Sequence, residues 1–290
     1  MAGAAPQTQY RQEFVMGFAQ RQSLLKDATT KEMVVKGNTA TFLVATTDGT
    51  ATTRGTNGLI PSSDNNNSQV SATLLEKHDL RKMTGFNIFQ SQSDQRAIMQ
   101  MNTMSVINND MDLAILAELA NGTLDTGSTA TASASSGLIF KKAIAQLQVN
   151  GVPWDGNVFA IVSPAFIEYL TDLSSFASAD FVNVKPNVNY PGVNASDPKK
   201  SGQGWYEWKG VKWISSSKIS GIGTNAELCY MFHRSAIGHA VATGEMQSLI
   251  GYDEEQDYSW ARCTLYHGAK LLQNSGVVRM LHDGSALVAT

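Results

Sequence analysis

Apolar positions near the start of the chain fall at helical spacing. Phe14, Phe18 and Leu25, with Val15 and Leu24 beside them, make one narrow stripe between about Tyr10 and Leu25. Arg11, Gln12, Gln20 and Arg21 occupy the other face. A helix this short is marginal alone and must pack on something. Its own domain and a neighbouring subunit are equally open as that surface. The period then shortens. Thr39 to Thr46 is a run of β-formers, Asp48-Gly49 is a turn signal, and Gln69 to Leu75 is a second β-like run. Between the two runs the chain passes through Arg54, Gly55 and Gly58 to the polar tract Ser62-Ser63-Asp64-Asn65-Asn66-Asn67-Ser68. This predicts a projecting hairpin. It has too few large apolar residues for a core of its own, so it must rest on something else.

The helical period returns most clearly from Ser93 to Asn121, with Ala97, Met101, Met104, Ile107, Met111, Ala114 and Ile115 as the apolar row. Ser91 and Ser93 are candidate N-caps, Asp94 lies near the first turn, and Gly122 supplies a stop. At ~1.5 Å per residue this helix spans about 43 Å, long for a compact domain of this size. Its methionines read as packing groups rather than metal ligands. Leu124 to Ser136 is a Gly/Ser/Thr/Ala stretch and the best candidate domain boundary.

Beyond that stretch the pattern becomes α/β. Ser136 to Val149 reads as a helix and Asn157 to Val162 as a buried strand. Ser163-Pro164 then opens a helix through about Thr171, with Ser as cap and Pro in the first turn. Asn187 to Gly204 is a Pro/Gly/Asn/Lys-rich loop. Trp205 to Ser215 resumes as β structure, with Trp208 and Trp213 as anchors. Strand-like runs follow at Ala226 to His233, Ser235 to Val241, Gln247 to Tyr252, Trp260 to Tyr266 and Gly276 to Leu281. The class is therefore α+β. No repeat of 20–50 residues is apparent.

Composition adds little to this picture. The 290 residues carry 16% charged side chains and a formal net charge of −3, a balance in which nothing suggests a protein condensing nucleic acid through a basic patch. Few charges and much Gly, Ser, Thr, Asn and Ala suit a surface that meets copies of itself. No apolar run reaches the ~18 residues of a membrane span, and Met1 to Pro6 lacks the features of a secretory signal. The expectation is a soluble protein made in a cytoplasm.

Candidate chemistry is sparse. Cys229 and Cys263 form no CxxC pair and read as buried thiols. Gly221-Ile222-Gly223 matches only the front of a dinucleotide fingerprint and is followed by a β-like segment, so it reads as a turn. His78, His233, His239, His267 and His282 show no metal-ligand spacing. There is no nucleophile elbow and no P-loop. Asp253-Glu254-Glu255 with Asp257 could bind a cation or be a solvated loop, but a basic surface on a partner is the favoured reading. No catalytic, cofactor or metal residue is assigned.

The order of parts, together with the closing sequence, resembles the major capsid proteins of tailed bacteriophages, which share the Hong Kong 97-type fold. Ala236-Ile237-Gly238-His239-Ala240 resembles that family's inner strand. Leu265-Tyr266-His267-Gly268-Ala269-Lys270 resembles the strand ending in a Tyr-Gly-Ala type signature, and Gly276-Val277-Val278-Arg279-Met280 the last strand. Gln20-Arg21-Gln22-Ser23-Leu24 ahead of the hairpin resembles one branch of the family.

The resemblance implies an N-terminal arm (1–37), an extended-loop hairpin (38–76) and a peripheral domain with a spine helix (77–135). It further implies an axial α/β domain (136–241), return strands of the peripheral domain (242–272) and a C-terminal axial strand (273–290). It implies a shell of pentamers and hexamers enclosing double-stranded DNA without sequence-specific binding, in a virion assembled in the host bacterial cytoplasm. A scaffolding protein and a portal are the expected partners, with a decoration protein left open and no membrane. The arm starts close to Met1, which favours a separate scaffolding protein over proteolytic maturation. Phe14, Phe18, Phe42, Arg54, Lys77, Asp253, Glu254 and Glu255 are the expected intersubunit contacts. The rival readings are an encapsulin-like compartment, a tail or adhesion protein, and an α/β hydrolase with scattered catalytic residues.

Overall fold

A computed structural model describes residues 23–34, 36–45, 51–60, 67–91, 94–127, 129–134, 137–173, 206–242 and 246–288. Phe14, Phe18, Ser93, most of the polar tract after Pro61 and the loop at 187–204 lie outside the described residues.

The described chain opens with buried Leu24 and Leu25, a single 3-10 turn at Lys26–Ala28 and strand β1 (Thr30–Val34). The hydrophobic pattern does not mark β1, because its middle residues are all exposed and two of the three, Lys31 and Glu32, are charged. β2 (Thr39–Val44) and β3 (Ser68–Thr73) are the expected hairpin strands, with Thr39 opposite Thr73 and Val44 opposite Ser68. β4 (Leu75–Thr84) and the short helix α1 (Gly85–Gln90) follow. Neither is marked by the pattern, since no residue of either is fully buried.

Helix α2 (Gln95–Ala120) spans about 39 Å over its 26 residues. Its cap is Asp94, whose carboxylate accepts the Ala97 N–H at 3.2 Å, and not Ser91. Ser91 closes α1 instead, its N–H donating to the carbonyls of Asn87 and Ile88. The buried row is Met99, Thr103, Ile107, Met111, Ile115 and Leu119. Met101 and Met104 of the expected row face outward, because the row includes Thr103 where the hydrophobic pattern looked only for apolar residues.

The Gly/Ser/Thr/Ala stretch is not a boundary. It contributes β5 (Leu124–Asp125), parallel to a later strand, and Ala130 bridges to His282. Backbone pairing holds it where its side chains are too small to do so. Helix α3 (Leu138–Val149) buries Ile139, Phe140, Ala143 and Leu147. Strand β6 (Val158–Val162) is buried throughout. Helix α4 (Pro164–Thr171) starts as expected, with the Ser163 hydroxyl oxygen accepting the Phe166 N–H at 3.1 Å.

Strands β7 (Tyr206–Trp208), β8 (Val211–Ser215), β9 (Glu227–His233) and β10 (Ile237–Ala242) come next. β11 (Gln247–Asp253), β12 (Tyr258–Leu271) and β13 (Val277–His282) complete the set. A 3-10 turn at Arg234–Ala236 breaks β9 from β10, so His233 and His239 do not share a continuous strand.

The chain divides into two compact units. One is built chiefly from Glu76–Asp110 and Gly244–Tyr266, the other from Leu24–Leu75, Met111–Thr243 and His267–Thr290. In the first unit β12 pairs antiparallel with β11, Gln247 opposite Thr264 and Asp253 opposite Tyr258, and also pairs with β4. The first half of α2 is tied to these strands by Arg96 Nε donating to Ser259 and Gln100 Nε2 donating to Ser248.

The second unit holds a mixed sheet in the order β5-β13-β9-β6-β8-β7. β6 and β8 are parallel neighbours, as a β-α-β crossover requires. Phe140, Phe166, Trp208 and Trp213 pack together as a ring cluster, Phe140 meeting Trp208 edge-on at 5.0 Å. A second arrangement in this unit pairs β1 parallel with β10, and β10 antiparallel with the end of β12.

Candidate assembly surfaces

The hairpin sits on a bed of small side chains. Gly238 and Ala240 of β10 face β2, and Gly268 of β12 lies under the Thr73 carbonyl of β3. Ala40, Phe42, Ala72 and Ala240 form a small separate core, with Val34, Leu74 and Leu272 at its edge. The Phe42 ring fills the space that a side chain at Gly238 would take. Phe42, expected as an intersubunit contact, is only 7% exposed and bolts the hairpin base to its own chain. Small residues are needed at 238, 240 and 268 because another strand pair packs directly on the backbone there.

The rest of the hairpin has no such bed. Every described residue from Ala51 to Ile60 is exposed, including Arg54, which has no ion-pair partner among the described residues. Leu43, Leu59 and Ile60 are 77%, 74% and 66% exposed. A Gly55–Leu59 backbone pair folds this stretch into a turn, and Gly58 takes the left-handed conformation. Apolar side chains held out in water on a projection mark a surface made for a partner.

Lys77 lies beyond the hairpin, as its place in the 77–135 segment implies. It lies on β4 and pairs with Asp110 of α2 at 3.4 Å within the same unit. The acidic turn between β11 and β12 is ordered by its own bonds. Asp253 Oδ1 accepts the N–H groups of Glu255 and Gln256, and the Gln256 bond leads in holding its carboxyl below the usual carboxylate range. The Tyr252 hydroxyl donates to Asp257 Oδ1 at 2.6 Å, and the Asp257 carbonyl accepts the Gly85 N–H. Glu254 and Glu255 are left exposed, with no ion pair among the described residues. Phe86 and Phe89, 65% and 86% exposed on α1, are the most exposed aromatic side chains among the described residues of this unit; the period-3 spacing of two Phe is the signal that could have found them.

The exit of the N-terminal segment is anchored from below. The buried Asp112 carboxylate on α2 accepts the Leu24 N–H at 3.0 Å and the Leu25 N–H at 3.1 Å. This carboxylate ends two backbone donors that no helix or strand could satisfy.

Two groupings of Ser, His and acid deserve a catalytic test, and both are structural. Ser163, Glu227 and His282 are fully buried. Ser163 Oγ donates to Glu227 Oε2 at 2.5 Å, and His282 Nδ1 reaches the same oxygen at 2.6 Å. The carboxylate stands between serine and histidine, so the imidazole cannot take the hydroxyl proton. Burial holds His282 below the usual histidine range, against the pull of Glu227. In the second grouping His233 Nε2 donates to Asp155 Oδ1 at 3.1 Å, while Nδ1 accepts both the hydroxyl and the backbone N–H of Ser235. That is a cap on the 3-10 turn at Arg234–Ala236. The described residues include no cluster of three metal-ligating side chains, and none of their helices is long and apolar enough to cross a membrane. Gly221 to Ala226 is a turn, as expected, with Thr224 N–H donating to the Gly221 carbonyl.

Solved structures place this architecture. A chain from Mycobacterium phage Che8 superposes with a TM-score of 0.72 at 16% identity, covering 98% of this chain and 99% of that one. The capsid of Cyanophage P-SCSP1u gives 0.67 at 12% identity over 95% and 92%. The capsid of Ralstonia phage GP4 gives 0.67 at 11% identity over 95% of each chain. The fold is thus the Hong Kong 97-type fold of tailed-phage capsid proteins. The family model for phage capsid proteins matches residues 2–284, and the chain belongs to that family. No curated protein matches it by sequence.

Proposed function

We propose that this chain is a major capsid protein, a structural subunit that builds the shell of a tailed phage by repetition of itself. The observation that carries the reading is the match to the phage capsid family over residues 2–284 on a chain with the capsid fold throughout. Its role is assembly and not catalysis. In this reading subunits ring into pentamers and hexamers, since heterologous contacts of one chain close into rings. The shell encloses double-stranded DNA without reading its sequence and is assembled in the host bacterial cytoplasm. A scaffolding protein guides assembly and a portal occupies one vertex.

The hairpin (38–76) lies across a neighbouring copy. Exposed Leu43, Leu59 and Ile60 support this, as does a base already bolted to its own chain by Phe42. Arg54 on the hairpin and Glu254 and Glu255 on the acidic turn supply intersubunit ion pairs; each is exposed and has no ion-pair partner among the described residues. Phe14 and Phe18 on the arm (1–37) dock at another edge. Many modest contacts made at once hold such a shell. In this reading the peripheral and axial parts correspond to the two compact units, so the division expected at 135/136 falls at 110/111, and the return strands run from 244 to 266.

Expression of the chain, with its scaffolding partner, followed by negative-stain electron microscopy tests the reading. Closed shells several hundred ångströms across are expected. A uniform small oligomer under every assembly condition overturns it.

A further inference from the structure

Two histidines lie on the reverse side of the hairpin's bed. Gly238, Ala240 and Gly268 face the hairpin, so the alternation of side chains along β10 and β12 sends His239 and His267 to the opposite face. There the rings meet edge to face, with centroids 5.6 Å apart. They are 0% and 1% exposed. Neither ring nitrogen of His239 has a hydrogen-bond partner among the described residues. A neutral imidazole tolerates this; an imidazolium there is a buried charge without a counter-ion among the described residues.

The groups acting on His239 make that worse. They are His267 on β12, Lys31, which stands opposite His239 in the β1–β10 register, and Lys26 in the turn before β1. Lys31 is paired with Asp27 of the same turn. Burial above all, then these cations, pushes His239 down to about 4.

We propose that buried His239, packed edge to face on His267, is an acid-sensitive release: its protonation drives β10 out of its packing and unseats the β2–β3 hairpin that rests on its other face. All the groups belong to one chain, so the device does not depend on shell assembly. The sign follows from linkage. His239 stays neutral in the closed form down to about pH 4, while in an opened form it recovers the usual value near 6.5. The closed form keeps its full advantage above about pH 6.5, loses it as pH falls toward 4, and loses nothing further below that. Across this window the local opening equilibrium rises about tenfold per pH unit, up to roughly 300-fold.

Hydrogen–deuterium exchange on the full chain, corrected for intrinsic rates and read from pH 7.5 to pH 4, tests the device. The expected result is that amides of β2, β3 and β10 lose protection through the window faster than those of β8, which serves as the internal reference. His239→Phe, which keeps a ring but cannot charge, is expected to hold β10 and hairpin protection level with β8. Parallel profiles for β10 and β8 in the parent chain overturn the proposal, as does an unchanged acid loss in a folded His239→Phe variant. Should that variant not fold, the parent profile decides alone.

Discussion

The end of the Phe42 ring occupies the place of a side chain at Gly238: a Cβ built there would lie 2.8 Å from Phe42 Cζ. At Gly268 a Cβ would instead fall on the carbonyl oxygen of Thr73. A ring end can tilt, whereas a paired strand backbone cannot. Gly238→Ala is expected to destabilise the chain by about 1 kcal/mol and Gly268→Ala by about 3 kcal/mol. Urea unfolding of the purified subunit measures both. Equal costs at the two positions count against a backbone seated directly on β12.

This seat explains why part of the closing sequence is readable and part is not. The small residues Gly238, Ala240 and Gly268 are visible as a pattern because a neighbouring strand pair forbids larger ones. The hairpin strands, the buried run at Val158–Val162 and the Ser163 cap follow from local preference and were equally visible. β1 and β4 were not, because their partners are distant in sequence and their own residues are largely polar and exposed. Long-range backbone pairing, which leaves no local signature, makes them strands. The same holds for the Ala130–His282 bridge, which turns an apparent linker into part of a sheet. Among the candidate contacts, period-2 alternation already separates Phe42 from Leu43, and applying it would have exchanged a buried residue for an exposed one.

Asp112 offers a test of the anchor under the N-terminal segment. Asp112→Ala removes the acceptor of two buried backbone N–H groups. The expected loss is about 3 kcal/mol, and Asp112→Asn, which keeps one carbonyl oxygen, loses less. Limited proteolysis is expected to cut Asp112→Ala faster near Ser23 to Ala28 than the parent chain. Identical cleavage and stability would remove Asp112 from the anchor.

Glu227 holds three donors at once: the Ser163 hydroxyl, the Gly223 N–H and His282 Nδ1. Glu227→Ala strands all three in a fully buried site and is expected to cost about 4 kcal/mol. Ser163→Ala removes one donor and costs about 1 kcal/mol, because Glu227 keeps its other two. Thermal unfolding of the two variants gives the comparison; a Ser163→Ala loss as large as that of Glu227→Ala would point to the helix cap and not the carboxylate as the centre of the cluster.

Both cysteines are buried and free, and burial pushes the Cys229 thiol up to about 12 and raises Cys263 as well. The thiolate is the reactive form. At pH 8 the native subunit is therefore expected to show almost no reaction with Ellman's reagent over an hour, and two thiols on addition of denaturant. Rapid native labelling at either position contradicts the packing of β9 or β12.

Leu59 and Ile60 separate folding from assembly. Both are more than half exposed on a stretch whose base is held elsewhere by Phe42, so nothing in the subunit's own packing depends on them. Replacing both with Ser should change subunit stability by no more than about 0.5 kcal/mol, the usual scale for surface substitutions. If the hairpin lies across a neighbouring copy, the same change strips apolar contact from every repeat of that interface. Because each shell contact is modest and many act together, a small loss per contact is multiplied over the particle. The double variant is expected to fold like the parent and yield few closed shells by negative-stain microscopy. Arg54→Glu is expected to act in the same direction, and more strongly at low salt, where exposed charges are least screened. Normal shell yield from the Leu59→Ser, Ile60→Ser variant would place the intersubunit contact elsewhere, with exposed Phe86 and Phe89 of α1 the next residues to change.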